Sequence, residues 1–156
     1  MNLRQITIKD QIELKKVYFD SIQSLDEKIY SLEQKQAWSS QAWENQNFDK
    51  SITKGKGWLL SEKGIIVAFA TRYPTNRIAL FYCKSKFQRK GYGSTLLHKL
   101  EDEAEKEGLD FISTEASLIS YKLFLQNKWK IIRKEKVTIN SIFFERYRMT
   151  KIIKID

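Results

Sequence analysis

At 156 residues the chain suits one domain with a sizeable core and leaves little room for a second, so a single domain over 1–156 is expected. Hydrophobic residues make up 42% and aromatics 13%, which excludes a disordered chain, and no apolar run nears the roughly 18 residues of a membrane span. The net charge of +9, from 28 basic and 19 acidic residues, draws anionic partners: phosphate-bearing ligands, nucleic acid and membranes all qualify. Met1-Asn2-Leu3-Arg4-Gln5 lacks the apolar core of a signal peptide, so a cytoplasmic location is expected. Cys83 and His98 are each the only residue of their type, which excludes an intrachain disulfide and a cysteine-based zinc cluster; no metal is expected.

Leu3 to Ile8 alternates like a first strand. Asp10 and Glu13 have capping-box spacing for a helix over about 11–24, and Ser31 and Gln34 repeat it for a helix over about 32–44 anchored by Ala37, Trp38 and Trp43. Trp58-Leu59-Leu60, Ile65 to Ala70 and Ile78 to Cys83 read as three strands of an antiparallel meander, with turns at Glu62-Lys63-Gly64 and Pro74-Thr75-Asn76. Tyr92, Leu96, Leu97, Leu100 and Ala104 recur at helical spacing with a charged opposite face, and Gly108 stops that helix. Leu109 to Thr114 reads as a strand, Ser117 as the cap of a helix over about 118–127. Strands over about 129–138 and 142–151 flank a turn at Asn140-Ser141, before a short basic end. The order β-α-α-β-β-β-α-β-α-β-β predicts an α/β fold with a mixed, mainly antiparallel sheet flanked by helices.

Phe87-Gln88-Arg89-Lys90-Gly91-Tyr92-Gly93 lies between a buried strand and a helix N-terminus. Backbone N–H groups are left unpaired at such a turn and the helix dipole favours negative charge there, so it is a pyrophosphate cradle candidate. A dinucleotide fingerprint would need a third glycine where Leu96 stands, and a Walker A loop would need a Lys-Ser/Thr pair that is absent.

What remains, Q-x-x-G-x-G, resembles the Gln/Arg-x-x-Gly-x-Gly/Ala motif of the GNAT superfamily of acetyl-CoA-dependent N-acetyltransferases, with Gln88, Gly91 and Gly93 in the fixed positions. A second block, Ala116-Ser117-Leu118-Ile119-Ser120-Tyr121-Lys122-Leu123-Phe124-Leu125-Gln126-Asn127-Lys128-Trp129, is similar to the family's Ala-Ser-x-x-Ala-x-x-Phe-Tyr-Glu-x-x-Gly-Phe stretch. Tyr30-Ser31-Leu32-Glu33-Gln34, with Ala37-Trp38, looks like the acceptor-side helix of one group of small GNAT proteins. The resemblance implies a GNAT-like sheet and acetyl-CoA as co-substrate, held by Phe81, Tyr82, Cys83, Gln88, Arg89, Lys90, Gly91, Tyr92, Gly93, Ser94, Ser117 and Phe124. It implies an acceptor site between the first two helices and the last two strands, with Tyr30, Trp38 and Tyr82 as substrate-binding residues and Trp43, Phe143, Phe144 and Tyr147 also available.

Direct transfer to an amine is expected, because Cys83 has no activating partner in the sequence and reads as a structural thiol. A lysine-like amine with a pKa near 10.4 is neutral to roughly one part in a few thousand at pH 7, so a base is needed. Glu115, where family members open a gap between strands four and five, is the candidate. The family's usual phenolic acid is replaced by Phe124, and Tyr121, three residues earlier on the helix, is the candidate to supply a phenol instead. Lys128 stands where the family has Gly, which leads us to expect a different backbone after the helix. The acceptor expected is a small-molecule amine or a peptide, with a homodimer left open and neither nucleic acid nor membrane expected. The alternative is a catalytically weak acyl-CoA-binding sensor or module of the same fold.

Overall fold

Residues 1–154 are described by a computed structural model; the last two residues of the expected domain and basic end lie outside the described residues. Seven strands form one sheet: β1 (Asn2–Gln5), β2 (Lys56–Glu62), β3 (Ile65–Arg72), β4 (Arg77–Cys83), β5 (Phe111–Ala116), β6 (Lys130–Ile139) and β7 (Ile142–Ile152), in the order β1-β2-β3-β4-β5-β7-β6. Every neighbouring pair is antiparallel except β4 with β5. This is the mixed, mainly antiparallel α/β architecture expected.

Alternation sorts the strand residues between two helical layers. Leu60, Ala70, Ile112 and Met149 face α5 (Tyr92–Lys106) and α6 (Tyr121–Gln126), where Leu96, Leu97, Leu100 and Phe124 complete one core. Leu59, Phe69 and Leu80 face the opposite layer, α1 (Gln11–Gln23), α2 (Leu32–Ser39), α3 (Gln41–Glu44) and α4 (Gln46–Thr53). The turns at Lys63-Gly64 and Asn140-Ser141 have both central residues at positive φ, the twist that two-residue hairpins require.

Four expected elements are corrected and one helix is added. The first strand stops at Gln5, because the Asp10 carboxylate accepts from the Thr7 amide at 2.8 Å and pairs with Arg4 at 2.7 Å, closing a short 3-10 turn before α1. The helix expected over 32–44 breaks at Ser40, whose hydroxyl donates back to the Ala37 carbonyl at 3.0 Å. An unexpected helix, α4, follows under the Asn45 cap, which accepts from the Asn47 amide at 2.8 Å. β5 starts two residues later than expected, because the Leu109 amide still closes the end of α5 on the Ala104 carbonyl at 3.1 Å and the Asp110 carbonyl serves Ile153 and Lys154. Finally, α6 begins only at Tyr121, since the Ser117 hydroxyl accepts from the amides of Ile119 and Ser120 and holds 118–120 as a turn. The Ser31–Gln34 capping box forms as expected.

Candidate active site

β4 and β5 share only the pairs Arg77↔Ser113 and Ile78↔Thr114. The buried Thr114 hydroxyl donates to the Ile78 carbonyl at 3.0 Å, and beyond it β4 follows β3 while β5 follows β7. The strands therefore part, and a cleft of about 620 Å³ opens between them, floored by Phe81 and Phe124 and closed at one end by the turn before α5. That volume suits a drug-sized or cofactor-sized ligand.

At the turn, the N–H groups of Arg89, Lys90, Gly91, Tyr92, Gly93 and Ser94 have no hydrogen-bond acceptor among the described residues. Arg89 at φ 61° and Gly91 at φ 83° bend the chain just before the helix. Gly93 matters for another reason: a Cβ there would lie 2.9 Å from Leu123 Cδ2, so any larger residue would have to displace the end of that side chain where the first turn of α5 meets α6. Gln88 Nε2 donates to the Cys83 carbonyl at 3.2 Å, and the Asp20 carboxylate accepts from the Ser85 amide at 2.9 Å; both tie the loop to the cleft wall. A row of free amides at a helix N-terminus, with Arg89 beside it on a cleft of this size, fits the diphosphate of coenzyme A. Of the residues expected to hold acetyl-CoA, all line the cleft except Lys90, whose ammonium lies over the Phe87 ring at 5.2 Å.

Phe124, 1% exposed, is stacked between Phe81 and Trp129 at 5.5 and 4.8 Å, so the place of the family's acid carries a packed ring with no hydroxyl. Tyr121 does not replace it: its ring stacks on Tyr147 at 4.4 Å, and neither cavity is lined by it. Burial, with the Asp20 charge adding to it, pushes the Cys83 thiol up to about 11, which keeps it protonated. Lys128 corrects an expectation, since it takes the left-handed conformation at φ 68° that a glycine would take. The Trp129 amide then reaches the Phe124 carbonyl at 3.0 Å and the Lys128 amide the Leu125 carbonyl at 3.1 Å, a Schellman end to α6.

A second cavity of about 160 Å³ meets the first at Trp38, Ala79, Tyr82, Glu115 and Ser117. Tyr30, Trp38 and Phe144 form its aromatic wall, with ring centroids 5.1–6.3 Å apart. Lys35 fixes α2 over the end of α1 by donating to the carbonyls of Gln23 and Leu25, and Gln34 Nε2 ties α2 to the Phe143 carbonyl at 2.9 Å. Burial pushes the Tyr82 phenol up to about 12, against the Trp38 Nε1 donor at 3.3 Å; its own O–H meets no acceptor among the described residues. Glu115 lines both cavities, and Arg77 Nε donates to both of its oxygens at 2.9 and 3.1 Å. Tyr30, Trp38, Tyr82 and Glu115 are thus brought together as expected. Trp43 packs on Phe19 outside the site, Phe143 is 70% exposed and Tyr147 lies with Tyr121. Arg77 and Arg146, which line the second cavity, went unnoticed in the sequence because a lone charge in a strand has no local signature.

Several solved structures share this architecture. A GCN5-related N-acetyltransferase from Rhodopseudomonas palustris superposes with a TM-score of 0.91 at 24% identity, over 97% of this chain and 94% of that one. PaiA N-acetyltransferase from Thermoplasma acidophilum, in complex with coenzyme A, gives 0.73 at 17% identity, over 97% and 99%. The ribosomal-protein-S18-alanine N-acetyltransferase from Escherichia coli gives 0.75 at 15% identity, over 99% and 95%. No curated protein sequence matches the chain. The family model of the acetyltransferase (GNAT) domain matches residues 26–151, which include the turn between β4 and α5, the whole lining of the second cavity and all of the first but Ser21, Ile22 and Leu25, and the chain therefore belongs to the GNAT acetyltransferases, with acetyl-CoA the co-substrate that fits its cleft.

Proposed function

We propose that the protein transfers an acetyl group from acetyl-CoA directly to a primary amine of a small molecule or peptide, in the cytoplasm and with the whole chain acting as one domain. The observation that carries this reading is the junction of two cavities, one ending at six free amides and the other walled by aromatics, with Glu115 and Tyr82 where they meet. Bound acetyl-CoA supplies the acetyl group as a thioester. The amides of residues 89–94 and Arg89 hold its diphosphate, and the unladdered edge of β4 at Tyr82 and Cys83 lines its arm and offers an N–H to polarise the thioester carbonyl. Glu115, oriented by Arg77, takes the amine proton through a water, and the Tyr82 O–H is a donor at the junction. The departing thiolate needs no acid, since a thiol ionises near 8.5.

Phe124 favours a second reading, a module that holds an acyl-CoA without turning it over. Calorimetric titration with coenzyme A, followed by a screen of amines for acetyl transfer, separates the two. Saturable binding that is lost in Gly91→Trp, together with acetylation of at least one amine, supports the transferase. Binding without transfer to any amine supports the module, and failure to bind coenzyme A overturns both.

A further inference from the structure

We infer that the acceptor is a compact amine carrying a carboxylate, of amino-acid size with an apolar side chain, and that Arg146 grips that carboxylate; this rests on the transferase reading above. The second cavity, about 160 Å³, lies well below the roughly 300–1,000 Å³ of drug-sized sites, so one residue's worth of ligand fills it. Its aromatic wall takes the apolar part.

The rim decides the rest. Of the charged lining, Arg77, Arg146 and Glu115 belong to a connected network that extends beside the cavity to Arg133, Arg148 and Glu135, four guanidiniums against two carboxylates, while Glu145, also in the lining, is neutralised by Lys134 at 2.7 Å. Arg146 spends only its Nε on Glu135, at 2.8 Å, and its two Nη atoms meet no acceptor among the described residues although the residue lines the cavity. A free guanidinium edge matches a carboxylate in bidentate geometry. The uncompensated positive charge also repels a polyamine or a lysine side chain, whereas an amine that brings its own carboxylate neutralises it. The same charge favours the neutral form of the bound amine, the form that attacks.

The test uses the intact protein saturated with coenzyme A and compares N-acetyl-leucine with N-acetyl-leucinamide by calorimetry, so that it does not depend on turnover. The acid is expected to bind at least about tenfold more tightly, the scale of a hydrogen bond to a charged group. Arg146→Gln should erase that preference, Arg146→Lys should keep part of it, and coenzyme A affinity should persist in both. Spermidine, offered as acceptor with acetyl-CoA, should be acetylated more slowly than leucine. Equal binding of acid and amide, binding of neither, equal loss of both in Arg146→Gln, or preference for spermidine would each overturn the inference. Those outcomes leave the transferase reading standing, because its own failure shows separately, as absence of coenzyme A binding or of acetyl transfer to any amine in the screen.

Discussion

Cys83 separates direct transfer from a route through an acetylated enzyme, because the residue lines the cleft where the thioester would lie. With the thiol pushed up to about 11, roughly one molecule in three thousand carries a thiolate at pH 7.5, against about one in eleven for an ordinary cysteine near 8.5. Alkylation by iodoacetamide in the folded protein should therefore run on the order of 300-fold slower than after unfolding in urea, followed by intact mass. Incubation with acetyl-CoA and no acceptor should leave the mass unchanged, and Cys83→Ala should hold kcat within about threefold while the lost packing costs about 1 kcal/mol of stability. The thiol also gives a pH signature. Its folded value lies above the ordinary value near 8.5, so its contribution is intact below about pH 8.5 and is lost as pH rises from there towards 11; Cys83→Ala should remove that decline. An acetyl group recovered on Cys83, or a hundredfold loss of kcat in a folded Cys83→Ala, would refute the reasoning.

Glu115→Gln should lower kcat by about 10²-fold, the lower end for loss of a general base, with the Kd for coenzyme A within about twofold; an unaltered rate would remove Glu115 from the mechanism. Lys128→Gly should raise stability by about 0.5–1 kcal/mol, because it relieves about 1–2 kcal/mol of left-handed strain at φ 68° and gives back part of that as unfolded-chain entropy. Its Tm should rise by about 2 °C. Lys128→Ala should gain nothing, and equal gains in both would disprove the cause. Burial alone would raise Glu135, but hydrogen bonds and charge from Arg146 and Arg148 outweigh it and hold the carboxyl at about 2. Its stabilisation is thus present above pH 4.5 and lost as pH falls towards 2, so urea midpoints of Glu135→Gln should change less than wild type between pH 6 and pH 3.

The parts of the site that were legible in the sequence are local. Gln88, Gly91 and Gly93 act through backbone geometry within a few residues, and Ser31 with Gln34 closes one helix turn, so spacing alone announces them. The cleft itself is not local. It opens because Thr114 takes the Ile78 carbonyl 36 residues away, a contact that neither strand advertises. The same distinction explains the aromatics: periodicity offered Phe143 and Phe144 alike, and only the pleat of β7 against α2 buries Phe144 and leaves Phe143 in solvent. Tyr121 was tied to the site by helix spacing, yet the helix starts at that residue, so its ring leaves the cleft and joins Tyr147. Asn45, followed by Phe48 and Ile52 at helical spacing, did announce α4 and was passed over beside the stronger aromatic signals.

Absence of the family's phenolic acid at Phe124 and a proposed base, Glu115, bound by arginine point to the same mode of catalysis. General acid or base help contributes about 10²–10⁴-fold, whereas holding an amine against a thioester in attack geometry is equivalent to effective molarities of about 10⁵–10⁸ M. A site that forgoes part of the first can still rest on the second, provided that the amine arrives neutral and in place. On the proposed reading both provisions come from guanidiniums at the second cavity and beside it: Arg77 orients Glu115, and the excess of Arg77, Arg133, Arg146 and Arg148 over Glu115 and Glu135 disfavours an ammonium beside Tyr82. On this account the arginines that a strand-by-strand reading passes over do as much for reactivity as the missing hydroxyl at Phe124 takes away, and restoring that hydroxyl in Phe124→Tyr should raise kcat by less than tenfold.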